Sequence, residues 1–88
     1  MSSNRRIIAD AAIRCGMLSK EAADRCLEEG REIFLHTVHA WRLRYPNCRI
    51  KAGEEGQGME VKLWKKRDDG KFYLAKSYLY RLDQIDRE

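Results

Sequence analysis

Residues 59–80 constrain the fold most strongly, because two strand-like segments flank an Asp69-Gly70 dipeptide there. Apolar and aromatic side chains recur through residues 59–66 and again through residues 72–80. Asp-Gly between two such segments is a strong signal for the turn of a β-hairpin, since glycine readily adopts the positive φ that tight turns need. The sequence therefore predicts a two-stranded antiparallel hairpin that turns at this dipeptide.

The length of the turn decides which side chains of the hairpin share a face, because a shift of one residue exchanges the two faces. A turn of two or four residues places Trp64 on the same face as Tyr73, whereas a three-residue loop with a bulge places Trp64 with Phe72 and Leu74. We adopt the first arrangement, because it separates apolar from basic side chains more cleanly. The predicted outward face is then Lys62, Trp64, Lys66, Tyr73, Ala75, Ser77 and Leu79.

The N-terminal half has the spacing of helices. Apolar residues recur every three or four positions from Ile7 to Cys15, and Gly16 follows them, which predicts a first helix over 4–15. After Ser19, a second apolar stripe continues in phase to Tyr45. This stripe predicts one long helix that ends before Pro46.

Gly30 lies inside the long stripe and leaves two interpretations open. It either lets the first helix approach closely or marks a bend that splits the element. The stripe has the same phase on both sides of Gly30, which favours close approach within one unbroken helix.

Residues 48–52 alternate small or apolar side chains with Arg49 and Lys51, which predicts a short edge strand. With 88 residues, the chain has room for one core. We therefore predict a single α+β domain over 1–88, in which an N-terminal helical hairpin with a long second helix packs on a three-stranded antiparallel sheet. The predicted core combines Leu27, Phe34, Val38 and Trp41 from the helix with Val61, Leu63, Leu74 and Tyr78 from the sheet.

Composition favours a soluble cytoplasmic protein. The net charge is +4 and positive and negative residues are interleaved, so neither an acidic protein surface nor nucleic acid is excluded as a partner. Three widely spaced cysteines do not make a disulfide framework, and no apolar run is long enough to span a membrane.

An extra apolar contact between two copies could come from Leu35 and Leu43 on the long helix, but two exposed leucines are ordinary, and we expect a monomer.

We predict no enzymatic activity and no cofactor, because the sequence lacks a recognisable catalytic constellation. His36 and His39 are three residues apart, but zinc needs three or four ligands. Only Cys26 or Cys48 could add one, and neither lies at a spacing typical of a zinc site. Glu54 and Glu55 lie in a glycine-rich loop without a fixed carboxylate partner, so acid–base catalysis has no support either.

Aromatic rings among cations on an exposed sheet are typical of a binding surface. The predicted binding residues are Lys62, Trp64, Lys66 and Tyr73, with Arg42, Arg44 and Arg49 in support. We expect stoichiometric contact with a larger protein or nucleoprotein machine. Small phage and mobile-element inhibitors of host nucleases and CRISPR complexes share this size class. The alternative prediction is direct binding of nucleic acid through the same residues.

Residues 8–27 resemble a DNA-binding helix-turn-helix in the spacing of Ala12 and Gly16 and in the serine that begins the second helix. The segment has one extra turn residue, and its recognition helix would begin with Glu21 and Asp24. Carboxylates at that position repel phosphates. We interpret the segment as an ordinary helical hairpin.

Overall fold

A computed structural model describes residues 2–87 of the chain, and Met1 and Glu88 lie outside the described range. This range folds as an α+β protein with short helices and small antiparallel sheets. In chain order the elements are α1 (Asn4–Arg14), α2 (Lys20–Glu29), β1 (Leu35–His36), α3 (Val38–Arg44), β2 (Arg49–Ile50), β3 (Met59–Lys66), β4 (Phe72–Arg81), a 3₁₀ turn (Leu82–Gln84) and β5 (Ile85–Asp86). None of these helices is both long and apolar enough to cross a membrane.

Helix α1 forms where the sequence predicts the first helix. The side chain of Ser3 accepts a hydrogen bond from the backbone N–H of Arg6 and satisfies one of the free donors at the helix start. Small apolar residues at Ala9, Ala11 and Ala12 are buried, so the helix lies close to its neighbours. The helix packs against α2 and β3.

The predicted long second helix is wrong. Gly30 adopts the left-handed conformation with φ of 67° and ends α2, while the N–H of Arg31 bonds to the carbonyl of Cys26 in a typical helix-terminating pattern. A new helix, α3, begins after Thr37, whose side chain accepts a hydrogen bond from the N–H of Ala40. The apolar stripe has the same helical phase on both sides of the break, so its periodicity does not reveal the break. The break is marked by Gly30, which ends α2, and by Thr37, which begins α3.

The main sheet has three antiparallel strands in the order β1-β4-β3, and β2 pairs separately with β5. The short strand predicted over 48–52 exists as β2, but it is not a strand of the main sheet. The third strand of that sheet is instead β1, which lies in the segment predicted to be helical. After β4, the chain forms the 3₁₀ turn and then β5.

The hairpin turn is a three-residue loop with a bulge. The N–H of Arg67 bonds to the carbonyl of Lys71 at 2.7 Å, and the N–H of Gly70 bonds back to the carbonyl of Arg67 at 3.0 Å. Gly70 has a φ of 85°, as the bulge position of such a loop requires. The resulting register places Trp64 opposite Leu74. The preferred turn was therefore wrong, and the alternative with a three-residue loop is correct.

The buried residues form two clusters on opposite faces of the main sheet. The larger cluster lies between the sheet and the helices α1 and α2 and contains Ala9, Ala11, Ala12, Ala23, Ile33, Leu35, Val61, Leu63 and Leu79. The smaller one surrounds α3 and contains Trp41, Cys48, Tyr80 and Ile85. The predicted core is confirmed for Trp41, Val61 and Leu63. It is wrong for Phe34, Leu74 and Tyr78, which are exposed, while Leu27 and Val38 are half-buried.

Candidate functional site

The hairpin presents two chemically different faces, because successive residues of a strand point to opposite sides. One face packs on α1 and α2 through Val61, Leu63 and Leu79, which are buried. The other is only partly covered, and we call its uncovered part the open face. The open face consists of Glu60, Lys62, Trp64 and Lys66 from β3 and Phe72, Leu74, Lys76 and Tyr78 from β4.

Large apolar side chains are exposed on the open face. The exposed fraction is 62% for Phe72, 47% for Leu74 and 46% for Tyr78. Trp64 is half-buried and lies directly across from Leu74, so these two side chains connect the two strands into one patch. Large apolar side chains grouped on one face of a sheet mark an interaction site more often than single scattered surface hydrophobes do.

The open face also carries an uncompensated positive charge. It holds three lysines and one carboxylate, that of Glu60. Lys62 and Lys76 lie directly opposite each other in the strand pairing, where like charges destabilise a sheet. Negative charge supplied by a bound partner would relieve this repulsion.

The N-terminal residues hold the edge of β3 in place. The side chain of Asn4 donates to the carbonyl of Trp64 at 3.1 Å and accepts from its N–H at 2.7 Å, so it imitates a neighbouring strand. The indole N–H of Trp64 donates to the carbonyl of Ser2 at 2.8 Å. These contacts fix Trp64 from both the backbone and the ring. They also occupy the middle of a sheet edge that another strand could otherwise use.

The smaller buried cluster bounds the open face next to Tyr78. Tyr80 points to the same side of the sheet as Tyr78 but is buried against Trp41, whose indole N–H donates to the carbonyl of Tyr80 at 2.9 Å. Gly58 lies against this ring, and a Cβ there would come within 2.6 Å of the ζ carbon of Tyr80. Since Tyr80 is enclosed, the exposed rings of the open face are those of Phe72 and Tyr78.

The register places three of the predicted binding residues on the open face and a fourth, Tyr73, on the opposite face. Lys62, Trp64 and Lys66 all lie on the open face, as expected. Tyr73 lies on the opposite face, although 42% of it is exposed, so its predicted place beside Trp64 is wrong. Ala75, Ser77 and Leu79, also assigned to the outward face, belong to that opposite face as well.

All four residues that β4 contributes to the open face were missing from the predicted site: Phe72, Leu74, Lys76 and Tyr78. The signal that could have found them was the three-residue alternative for the turn, which pairs Trp64 with Leu74. Asp68 supplies the extra loop residue before Asp69-Gly70, so counting the loop from Arg67 to Lys71 identifies the correct face.

The three predicted arginines lie outside the hairpin, with Arg42 and Arg44 on α3 and Arg49 on β2. Arg44 forms an ion pair with Glu32, and the guanidinium of Arg42 donates to the carbonyl of Cys48 at 3.3 Å. Arg49 lies opposite Asp86 in the pairing of β2 with β5. The side chains of Arg42 and Arg44 therefore have partners within the fold, and none of the three arginines lies on the hairpin.

Within the described part of the chain, the cysteines and histidines lie apart from one another. Cys15 is exposed, Cys26 is half-buried and Cys48 is buried, and all three are free thiols. His36 lies on β1 and His39 on α3, in different elements. Between residues 2 and 87, no three histidine, cysteine or acidic side chains are grouped so that they could hold a metal ion.

No protein-family model matches the chain, and neither a curated protein nor a solved structure matches it.

Proposed function

We propose that this protein is a non-enzymatic binding protein that acts by stoichiometric contact, through its open face, with a larger protein or nucleoprotein assembly. The observation that carries the proposal is the exposure of Phe72, Leu74 and Tyr78 beside Trp64 on one side of the sheet. A chain of this size needs most of its apolar surface for its own core. Large rings left in solvent are therefore best explained by burial in a complex.

The energetics of interfaces support the same surface. Burial of apolar area contributes about 25 cal/mol per Å², and tryptophan and tyrosine are among the residues that carry most of the binding energy in protein interfaces. Trp64 is also held in place by Asn4 and Ser2, so less conformational entropy is lost when it is buried. The face thus combines exposed apolar side chains with a preorganised Trp64.

Contact through the open face is better supported than addition of a strand to the edge of β3. Strand addition uses free backbone N–H and C=O groups along an edge. Asn4 already occupies both backbone groups of Trp64, in the middle of that edge. An incoming strand would have to displace it.

The proposed active form is a monomer. Of the two leucines that suggested a dimer in the sequence, Leu35 is buried inside the fold. Leu43 on α3 is 75% exposed. One exposed leucine is ordinary on a protein surface and does not require a second copy.

Inhibition of a host nuclease or CRISPR-type complex would be one form of such contact. A small protein that covers a functional surface of a larger machine needs shape and charge complementarity, and it needs no catalytic group. The inhibitor assignment rests on size class and stays a prediction.

The test compares two leucine-to-aspartate variants as baits in lysate of the cells in which the protein acts. Leu74→Asp places a charge in the centre of the open face, and Leu43→Asp makes the same change on α3. Both positions are exposed, so both variants should keep the fold, which a thermal melt verifies. We expect a stoichiometric complex with the unmodified protein and with Leu43→Asp, and its loss with Leu74→Asp. A complex that survives Leu74→Asp would place the contact elsewhere.

A further inference from the structure

We infer that the direct occupant of the open face is single-stranded nucleic acid, bound without strong sequence preference. This inference rests on the proposed function and names the partner chemistry of the same face. It selects nucleic acid, within a nucleoprotein assembly or free, over an acidic protein surface.

Rings and cations alternate on the open face in the way that a single strand requires. Phe72 lies directly across from Lys66, and Trp64 has Lys62 and Lys66 on either side along β3. Tyr78 is the next outward residue after Lys76 along β4. Each ring therefore has an ammonium group as a neighbour. Single-strand binders stack bases on aromatic rings while cations follow the phosphates between them.

The position of the lysines favours nucleic acid over a protein as the partner. In protein interfaces, lysine is depleted and the centre of the patch is apolar, with charges at the rim. Here the Lys62–Lys76 pair lies between the Trp64–Leu74 pair and the Glu60–Tyr78 pair, and so interrupts the patch. Two like charges held across a strand pair are best compensated by the regularly spaced negative charges of a phosphate backbone.

The shape of the face favours a single strand over a duplex. Stacking on a protein ring needs an unpaired base whose flat side is accessible, which a duplex does not offer. Phe72 and Tyr78 are six residues apart on β4, which corresponds to about 20 Å along the strand. This length accommodates a few nucleotides. The amide of Asn4 and the carbonyl of Ser2 hold Trp64 in place at the edge of this track.

The experiment measures the fluorescence anisotropy of a labelled oligothymidine of about 12 nucleotides, a length within the site sizes of single-strand binders. We expect binding at low salt and a dissociation constant that rises with salt, with a log–log slope of about 2 for three lysine–phosphate contacts. Phe72→Ala should weaken binding by about 5- to 150-fold, the cost of one stacked base. Lys76→Ala should weaken binding and lower the salt slope.

Matched controls come from the opposite side of the same strands. Tyr73→Ala and Lys65→Ala remove an exposed ring and an exposed cation from the face that packs toward α1, and both should leave the affinity unchanged. A poly-glutamate chain of equal charge serves as the acidic-protein probe, and we expect it to bind more weakly than the oligonucleotide.

The outcomes separate this inference from the proposed function. Undetectable oligonucleotide binding at low salt, an unchanged affinity in Phe72→Ala, or equal binding of poly-glutamate would each overturn the nucleic-acid inference. If Leu74→Asp nevertheless abolishes the complex in lysate, the proposed contact through the open face stands, and its partner is a protein. If neither binding depends on the open face, both are wrong.

Discussion

Replacing Asn4 by alanine tests how the edge of β3 is held. The change removes both hydrogen bonds between the Asn4 side chain and the backbone of Trp64. Two such bonds contribute about 1–3 kcal/mol to the free energy of unfolding, since a typical net value is about 0.5–1.5 kcal/mol each. Because alanine is the better helix former, it should recover about 0.5 kcal/mol in the first turn of α1.

The expected net loss for Asn4→Ala is therefore about 0.5–2.5 kcal/mol. In a domain of this size, a loss near the middle of that range lowers Tm by about 6–12 °C. Thermal unfolding followed by circular dichroism gives the total effect. Amide hydrogen exchange at Trp64 gives the local one, because the N–H loses its acceptor and should exchange faster than in the unmodified protein.

Asn4→Asp is the matched control, because aspartate keeps an oxygen that can accept from the N–H of Trp64 but has no amide to donate to its carbonyl. The N–H of Trp64 should then stay protected in Asn4→Asp and become exposed in Asn4→Ala. Equal protection in all three proteins would refute the reasoning, since it would mean that Asn4 does not close this edge.

Three further predictions concern the interior and the surface charges. Gly58→Ala should destabilise the fold by about 1–3 kcal/mol in a urea titration, because its Cβ would overlap the ring of Tyr80; an unchanged or higher midpoint would contradict this packing. Trp41→Phe should remove the indole hydrogen bond to the carbonyl of Tyr80 and cost about 1–3 kcal/mol, measured in the same titration; a cost below about 0.5 kcal/mol would show that the bond is unimportant. The hydrogen bond from Lys20 holds the pKa of Asp24 below its ordinary value, so this carboxylate stabilises the fold at neutral pH and ceases to do so as the pH falls through the native pKa. Asp24→Asn should therefore be less stable than the unmodified protein near neutral pH and equally stable in strong acid, and a gap that persists in acid would exclude this origin.

The hairpin could be predicted from sequence because its signals are local. Asp69-Gly70 marks the turn, and the flanking residues have the composition of strands. The sequence did not determine which residues share a face of the hairpin, because loops of two and three residues around the same dipeptide differ by one residue of register. The bond from Arg67 N–H to Lys71 carbonyl decides between them, and it is a property of the folded backbone.

The prediction of one long second helix was wrong for a different reason. The apolar stripe through 22–45 follows helical periodicity, yet the residues in its middle supply β1. Leu35, which a continuous helix would leave exposed, is buried because it lies on a strand beside β4. The periodic pattern alone did not distinguish this interrupted segment from one continuous helix. Gly30 carried the correct signal, since a glycine within a helix is costly and one in a left-handed cap is not.

Half of the candidate site follows from the sequence, and half depends on the register. Lys62, Trp64 and Lys66 alternate on one strand, so they share a face in any register. Their partners from β4 change completely with a shift of one residue, which is why Tyr73 was predicted in place of Phe72 and Leu74. Arg42, Arg44 and Arg49 are far enough from the hairpin in sequence that only the folded structure could place them around α3.

The most direct test of the central claim is an NMR titration of the labelled protein with unlabelled oligothymidine, read at the side chains and amides of both faces of the hairpin. We predict that the largest shift changes occur at Phe72, Leu74, Lys76 and Tyr78. Tyr73 and the buried residues of β3 should change little. Shifts concentrated around α1 and α2, or around the arginines of α3, would contradict the assignment of the open face as the binding surface.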